Sequence, residues 1–191
     1  HEAGHAILFH VLPHMDPVYT ISIIPTGMGA AGYTMPLPDN DEMFNTKNKM
    51  MEDITTLLGG RVAEEIIFGD ITTGASNDIK RATETARSMV MKYGMSEKIG
   101  LIAYGNDDDE VFIGRDLAHT RGYSEEVARE IDGEISRIIR ECHENAESII
   151  RENIGVLHSC AALLLEKEKI HREEFEALFT TEKEEVAKTN E

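Results

Sequence analysis

The chain begins His1-Glu2-Ala3-Gly4-His5, and this pentad constrains the backbone more than any other stretch. Side chains four positions apart face the same way on an α-helix, one turn above each other. A helix over residues 1–12 therefore sets His1 and His5 on one face, where two imidazoles can grip one zinc ion, with Glu2 beside the metal-bound water. The spacing predicts an opening helix, a divalent metal on its face and, with Glu2 as base, metal-assisted hydrolysis of a peptide bond.

The remainder reads as mainly α, with a small β-hairpin or short-strand element. Residues 18–25 are β-branched and apolar, a short strand stopped by Pro25 and Gly27. The segment 29–36 is a second extended piece, so residues 26–29 read as a hairpin turn. Over 46–68, Met51, Ile54, Leu58, Val62 and Ile66 recur at helical spacing. Gly59-Gly60 inside that helix is costly and predicts close approach of a neighbouring backbone, and Gly69 closes the helix. Ser76 reads as the N-cap of a helix over 77–93, ended by Gly94. Residues 95–121 are irregular, with Val111-Phe112-Ile113 a brief strand. Ser124 caps a long helix with the stripe Val127, Ile131, Ile135, Ile138, Cys142, Ala146 and Ile149, ended by Gly155. Shorter helices follow over 156–168 and 172–179. One domain is expected over 1–180, and 181–191 lacks an apolar pattern and reads as a disordered tail.

Composition narrows the function. A hydrophobic content of 41% supports a real core, and the absence of Trp with few aromatics favours helix packing over an aromatic-rich β-sandwich. A formal charge of −17 argues against a basic footprint for nucleic acid or anionic lipid. Two cysteines, Cys142 and Cys160, exclude a small disulfide scaffold and fit a reducing compartment. Cys142 falls on the apolar stripe, so Cys142-His143 reads as core and surface rather than a metal pair. There is no signal-peptide pattern and no membrane-length apolar run, and a chain that starts on a candidate ligand reads as a domain cut from a longer protein.

A catalytic zinc needs a third protein ligand and an open position. His10 and His14 lie near the motif, but His10 is five residues after His5, off the His1/His5 face, and reads as a helix-end or packed histidine. Glu64 and Glu65 are one carboxylate set. Glu65 falls seven after Leu58, on the apolar stripe, with Arg61 as its structural partner. Glu64, at the flank of that stripe, could face a metal or a ligating histidine. Asp78 is the other candidate, in the first turn of the 77–93 helix, where the helix dipole alone would favour a carboxylate. Spacing does not choose between Glu64 and Asp78.

The strings HEAGHAI, VYTISIIP, TLLGGRVAEEIIFG, TTGASNDIKRAT and MVMKYGMSEKIG occur in that order. Together they resemble the peptidase domain (M41 type) of FtsH-type ATP-dependent zinc metalloproteases, from His1 to about Phe179. The resemblance implies a helical zinc-peptidase domain in which His1, His5 and Asp78 hold Zn2+, Glu2 is the catalytic base, and Glu64 lies behind a ligating imidazole and orients it. It implies a homo-hexamer that digests unfolded or damaged polypeptides, anchored at the cytoplasmic face of the cell membrane through segments ahead of this chain. It also implies an ATPase module ahead of this domain. No Gly in this chain is followed by Lys, so it has no P-loop ending and ATP would serve only that other module.

The expected substrate is an extended chain paired to a sheet edge, which offers N–H and C=O groups whatever the sequence. The edge is the 29–36 segment, with Gly32, Tyr33 and Thr34 as candidate substrate-binding residues; a plain capped hairpin edge is the competing reading. Two other accounts compete with the enzyme described. A structural zinc in an assembly module would be closed by His10 or Glu64 as a fourth ligand. An unrelated gluzincin-type peptidase would use Glu64 as third ligand.

Overall fold

The computed structural model describes residues 1–25, 31–38, 43–104 and 123–189, with side chains to residue 180. Six helices and three strands lie within them. In chain order these are α1 (Glu2–Val11), β1 (Val18–Ser22), β2 (Tyr33–Pro36), α2 (Lys47–Phe68), α3 (Ser76–Met91), α4 (Glu125–Glu152), α5 (Ile154–Lys167), β3 (Lys169–His171) and α6 (Arg172–Thr189). The protein is mainly α with one small sheet, as the hydrophobic periodicity predicts.

Helix α2 is the centre of the fold and packs on α1, α3 and α4. Thr46 starts it, its hydroxyl accepting from the Lys49 amide, and Gly69 ends it in the left-handed conformation at φ 61°. Ile54, Leu58 and Val62 are buried along one side. From α4 come Ile131, Ile135, Ile138, Cys142, Ala146 and Ile150. Ile7, Leu8, Ile21, Met89 and Phe175 complete one continuous core. Each such side chain, fully buried, contributes roughly 1.5–3 kcal/mol of hydrophobic stabilisation.

The Gly59-Gly60 pair does mark a close helix contact. A Cβ on Gly4 would strike the Gly59 carbonyl oxygen, and one on Gly59 would sit 2.6 Å from Leu8 Cδ1 and 2.9 Å from the Gly4 oxygen. The backbones of α1 and α2 touch because neither has a side chain there. This contact sets α1 deep against α2, with Ala3, Gly4, Ala6, Ile7 and Leu8 buried.

The sheet order is β2-β1-β3, both pairs antiparallel. Ile21 pairs with Thr34 and Ser22 with Tyr33 on one side, and Ile21 with Ile170 on the other. β2 is therefore an outer strand. β1 stops at Ser22 rather than near Pro25, because the Ser22 hydroxyl accepts the Ile24 amide and the chain leaves the ladder.

Other boundaries differ for local reasons. Ser76 does not cap α3 but is its first residue; a 3-10 turn over Thr73–Ala75 precedes it, and Thr72 caps that turn by accepting the Gly74 amide. The break after α4 falls at Asn153, whose side-chain amide donates to the Ile149 carbonyl, so Gly155 lies inside α5. Strand β3 is unforeseen, since three residues carry no readable alternation. The backbone of α6 runs to Thr189, through most of the segment read as a disordered tail. Glu and Lys make up most of residues 181–189 and favour helix without an apolar stripe. The expected hairpin turn at 26–29 and the strand at 111–113 lie outside the described residues.

Candidate metal centre

His1 stands at the N-cap of α1 and His5 one turn on, so their rings meet with centroids 4.8 Å apart. Their Nε2 atoms are 3.1 Å apart. Asp78, in the first turn of α3, brings Oδ2 to 3.5 Å from His1 Nε2 and 3.7 Å from His5 Nε2. Among the described residues these three are the one group of His, Cys, Asp and Glu donors close enough to share an ion. Gly60 makes the space: a Cβ there would lie 2.5 Å from His1 Nε2 and 2.6 Å from His5 Nε2.

The opposite nitrogen of each ring is already used. His1 Nδ1 is 2.7 Å from Glu64 Oε1, and His5 Nδ1 is 2.7 Å from the Thr56 carbonyl oxygen. A carbonyl only accepts, so His5 Nδ1 carries a proton, and a carboxylate imposes the same on His1. In the neutral rings both Nε2 atoms then present lone pairs, toward each other and toward the Asp78 carboxylate. Three acceptors converging in this way need a cation among them, a proton on an imidazole in the metal-free protein or a metal ion in its place. Zinc bonds of about 2.0–2.1 Å in a tetrahedron set neighbouring ligand atoms about 3.3–3.4 Å apart. The triangle of 3.1, 3.5 and 3.7 Å fits that requirement.

The charges agree. The hydrogen bond to Asp78 acts most strongly on His1 and raises its pKa above 6.5; burial opposes it, and Glu64 and the Glu2 charge add to it. Burial is the largest influence on Asp78 and disfavours its charge, yet the hydrogen bonds and charges of His1 and His5 outweigh it and hold the carboxyl well below the usual range. Burial likewise opposes ionisation of Glu64, and hydrogen bonds from His1 and Thr72 override it.

Glu64 is the buried member of its pair, reversing the reading of Glu65. Its Oε1 faces His1, and its Oε2 accepts from the Thr72 amide at 3.1 Å and hydroxyl at 2.9 Å. Glu65 is exposed, 3.4 Å from His143 Nε2, and Arg61 instead donates to the Thr72 carbonyl. His10 stacks on Phe179 with centroids 4.1 Å apart, and His14 pairs with Glu52 at 2.6 Å. Cys142 and Cys160 are buried free thiols, pushed by burial up to about 11 and about 12.

Glu2 lies against β2. The Thr34 hydroxyl is 2.8 Å from Glu2 Oε2 and 3.0 Å from the Glu2 carbonyl oxygen, and a Cβ on Gly32 would meet Glu2 Cγ at 2.9 Å. Sequence reasoning did not foresee the contacts of Thr34, Thr56 and Thr72 with the motif. The run Thr72-Thr73-Gly74 ahead of Asp78 was the one available sign of a shaped loop.

Comparison with known proteins gives a consistent result. The model of peptidase family M41 matches residues 1–178. An ATP-dependent zinc metalloprotease FtsH 1 from Thermoanaerobacter sp. (strain X514) is 55% identical over 182 residues, covering 95% of this chain and 30% of the relative. The ATP-dependent zinc metalloprotease FtsH of Caldicellulosiruptor bescii is 56% identical over 178 residues, 93% of this chain and 29% of its own length. That of Thermotoga maritima is 48% identical over 186 residues, 97% of this chain and 30% of its own. The chain thus spans about 30% of the length of these curated relatives.

Proposed function

We propose that this chain, which belongs to peptidase family M41, hydrolyses peptide bonds within polypeptides using one zinc ion held by His1, His5 and Asp78. The observation that carries the reading is the convergence of His1 Nε2, His5 Nε2 and Asp78 Oδ2 on one point, with both Nδ1 atoms committed elsewhere.

Zinc, when bound, supplies a Lewis acid for the scissile carbonyl and lowers the pKa of a water to about 7. Glu2 takes the proton of the attacking water on its carboxylate and returns it to the leaving nitrogen. Glu64 holds the His1 tautomer, and the Thr56 carbonyl does the same for His5. The substrate pairs as an extended chain with the outer side of β2, at Gly32, Tyr33 and Thr34, next to Glu2.

Neither Glu64 nor His10 supports a closed structural site or a Glu64-ligated one. Both Glu64 oxygens are engaged by His1 and Thr72, and His10 stacks on Phe179. A zinc ion held by His1, His5 and Asp78 would then keep a position for water and substrate.

The relatives' names add ATP dependence and zinc. The resemblance drawn from the sequence motifs further implies a longer parent protein in which this domain would digest unfolded polypeptides delivered by an ATPase module, within a homo-hexamer held at the cytoplasmic face of a membrane by other segments. Among the described residues no single helix is long and apolar enough to cross a membrane. The test is metal analysis with casein cleavage. The chain should bind one zinc and cut casein, chelation should stop cutting, and Glu2→Gln should keep zinc while losing cleavage. Cleavage that survives complete zinc removal would rule the reading out.

A further inference from the structure

We propose that Thr34 is a positioning residue for Glu2, so that the strand expected to receive the peptide also aims the base; this rests on the reading of Glu2 as base given above. A glutamate in the first turn of a helix has three free torsions, and fixing them costs rotamer freedom. A base must stand within hydrogen-bond reach of the proton it takes, so something must hold that carboxylate. α1 itself offers little: His1 makes no side-chain cap at its start.

The holding group comes from β2. The Thr34 hydroxyl has one proton and divides it between two acceptors of the same residue, Glu2 Oε2 at 2.8 Å and the Glu2 carbonyl oxygen at 3.0 Å. It therefore ties both the backbone and the head of Glu2 to the strand. Gly32 leaves room on the other side, since a Cβ there would lie 2.9 Å from Glu2 Cγ and 3.0 Å from Oε1. One carboxylate oxygen is pinned by Thr34, and the other lies where Gly32 has no side chain to displace it. β2 in turn is fixed by its register with β1, Ile21 opposite Thr34. A peptide paired with the outer side of β2 would then meet a base whose direction is set by the same strand.

The test compares Thr34→Val, which keeps the shape and removes the hydroxyl, with Thr34→Ser, which keeps the hydroxyl. With zinc bound, Thr34→Val should lower kcat about tenfold to hundredfold at unchanged KM, the scale of an ångström-size misplacement, and Thr34→Ser should restore most of it. Zinc affinity should stay within about twofold of the parent, because no ligand is touched. A readout without catalysis is a thermal double-mutant cycle on the metal-free protein. The loss of Tm in Glu2→Ala with Thr34→Val should be smaller than the sum of the two single losses. Parent-like kcat in Thr34→Val, a change confined to KM, or additive Tm losses would each overturn the proposal. If Thr34→Val does not fold, parent-like kcat in Thr34→Ala would overturn it, and a loss at unchanged KM would support it. Full activity in Glu2→Gln would instead sink the base reading, whatever Thr34 does.

Discussion

Glu64 Oε1 sits 2.7 Å from His1 Nδ1, and this contact decides which nitrogen of His1 faces His5 and Asp78, the proposed metal centre. A free imidazole divides its proton between two sites. Beside a carboxylate the proton stays on Nδ1, and Nε2 is left with its lone pair toward His5 and Asp78. Thr72 holds Glu64 from behind with its amide and hydroxyl, so the loop before α3 supports both an outer contact and, six residues on, Asp78 itself.

Replacing Glu64 by Gln keeps the shape and removes the charge. Zinc affinity should fall about tenfold to hundredfold, the usual cost of losing an outer partner of a ligating histidine. Asp78→Asn removes a ligand and should cost more. Competition with a chromophoric chelator measures both. A larger loss in Glu64→Gln than in Asp78→Asn would reverse the two roles.

Gly59 and Gly60 should fail differently when changed to Ala. At Gly59 the new methyl meets Leu8 and the Gly4 backbone, so the α1–α2 contact must open. That overpacking should cost about 1–3 kcal/mol, visible as a lower Tm. At Gly60 the methyl meets His1 and His5, so zinc affinity should drop at least tenfold, more than the fall in Tm explains. Calorimetry and zinc titration on both variants separate these outcomes; identical profiles would contradict the placement of Gly60.

The pH dependence follows from the shifts. His1 is raised above 6.5, so in the metal-free protein its favourable interaction is fully present below pH 6.5 and lost as pH rises through the folded value. Asp78 is depressed below 3.8, so its contribution is present above pH 3.8 and lost as pH falls through its folded value. Zinc must displace the His1 proton, so affinity should rise with pH to a plateau, its midpoint above 6.5. Isothermal titration between pH 5.5 and 8.5 checks this. A midpoint below 6.5 would contradict the Asp78–His1 pairing.

A second buried carboxylate provides a control. Glu134 accepts from Ser96 Oγ at 2.5 Å and from Arg137 Nε at 3.0 Å, linking the segment after α3 to α4. The Arg137 hydrogen bond is the chief reason its carboxyl is held low, with burial opposing. Ser96→Ala should cost about 1–3 kcal/mol, because Glu134 loses one of its donors and the Ile99 amide loses its acceptor. Zinc affinity should not change, because none of these groups reaches the metal centre. Denaturant unfolding and zinc titration measure the two effects.

Much of this was legible in the chain. His1 and His5 were fixed by helical spacing, and the stripes of α2 and α4 by their 3.6-residue period. The glycine pair of α2 announced a close contact, though not that Gly60 would face the imidazoles. Asp78 was not separable from Glu64 by spacing, because the fold brings α3 to α1 across more than seventy residues and no local pattern records that. The assignment of Glu65 to the apolar stripe failed because a carboxylate at a helix flank is buried or exposed by what packs on it. β3 and the Thr34 contact with Glu2 are tertiary pairings of residues ordinary in composition, and nothing local marks them.

The most direct measurement is an anomalous-difference map at the zinc edge from crystals of the zinc-loaded protein. The account predicts one strong peak about 2.0–2.2 Å from His1 Nε2, His5 Nε2 and an Asp78 carboxylate oxygen, with water in the remaining position. A peak ligated by Glu64 in place of Asp78, or closed by a fourth protein side chain, would contradict it.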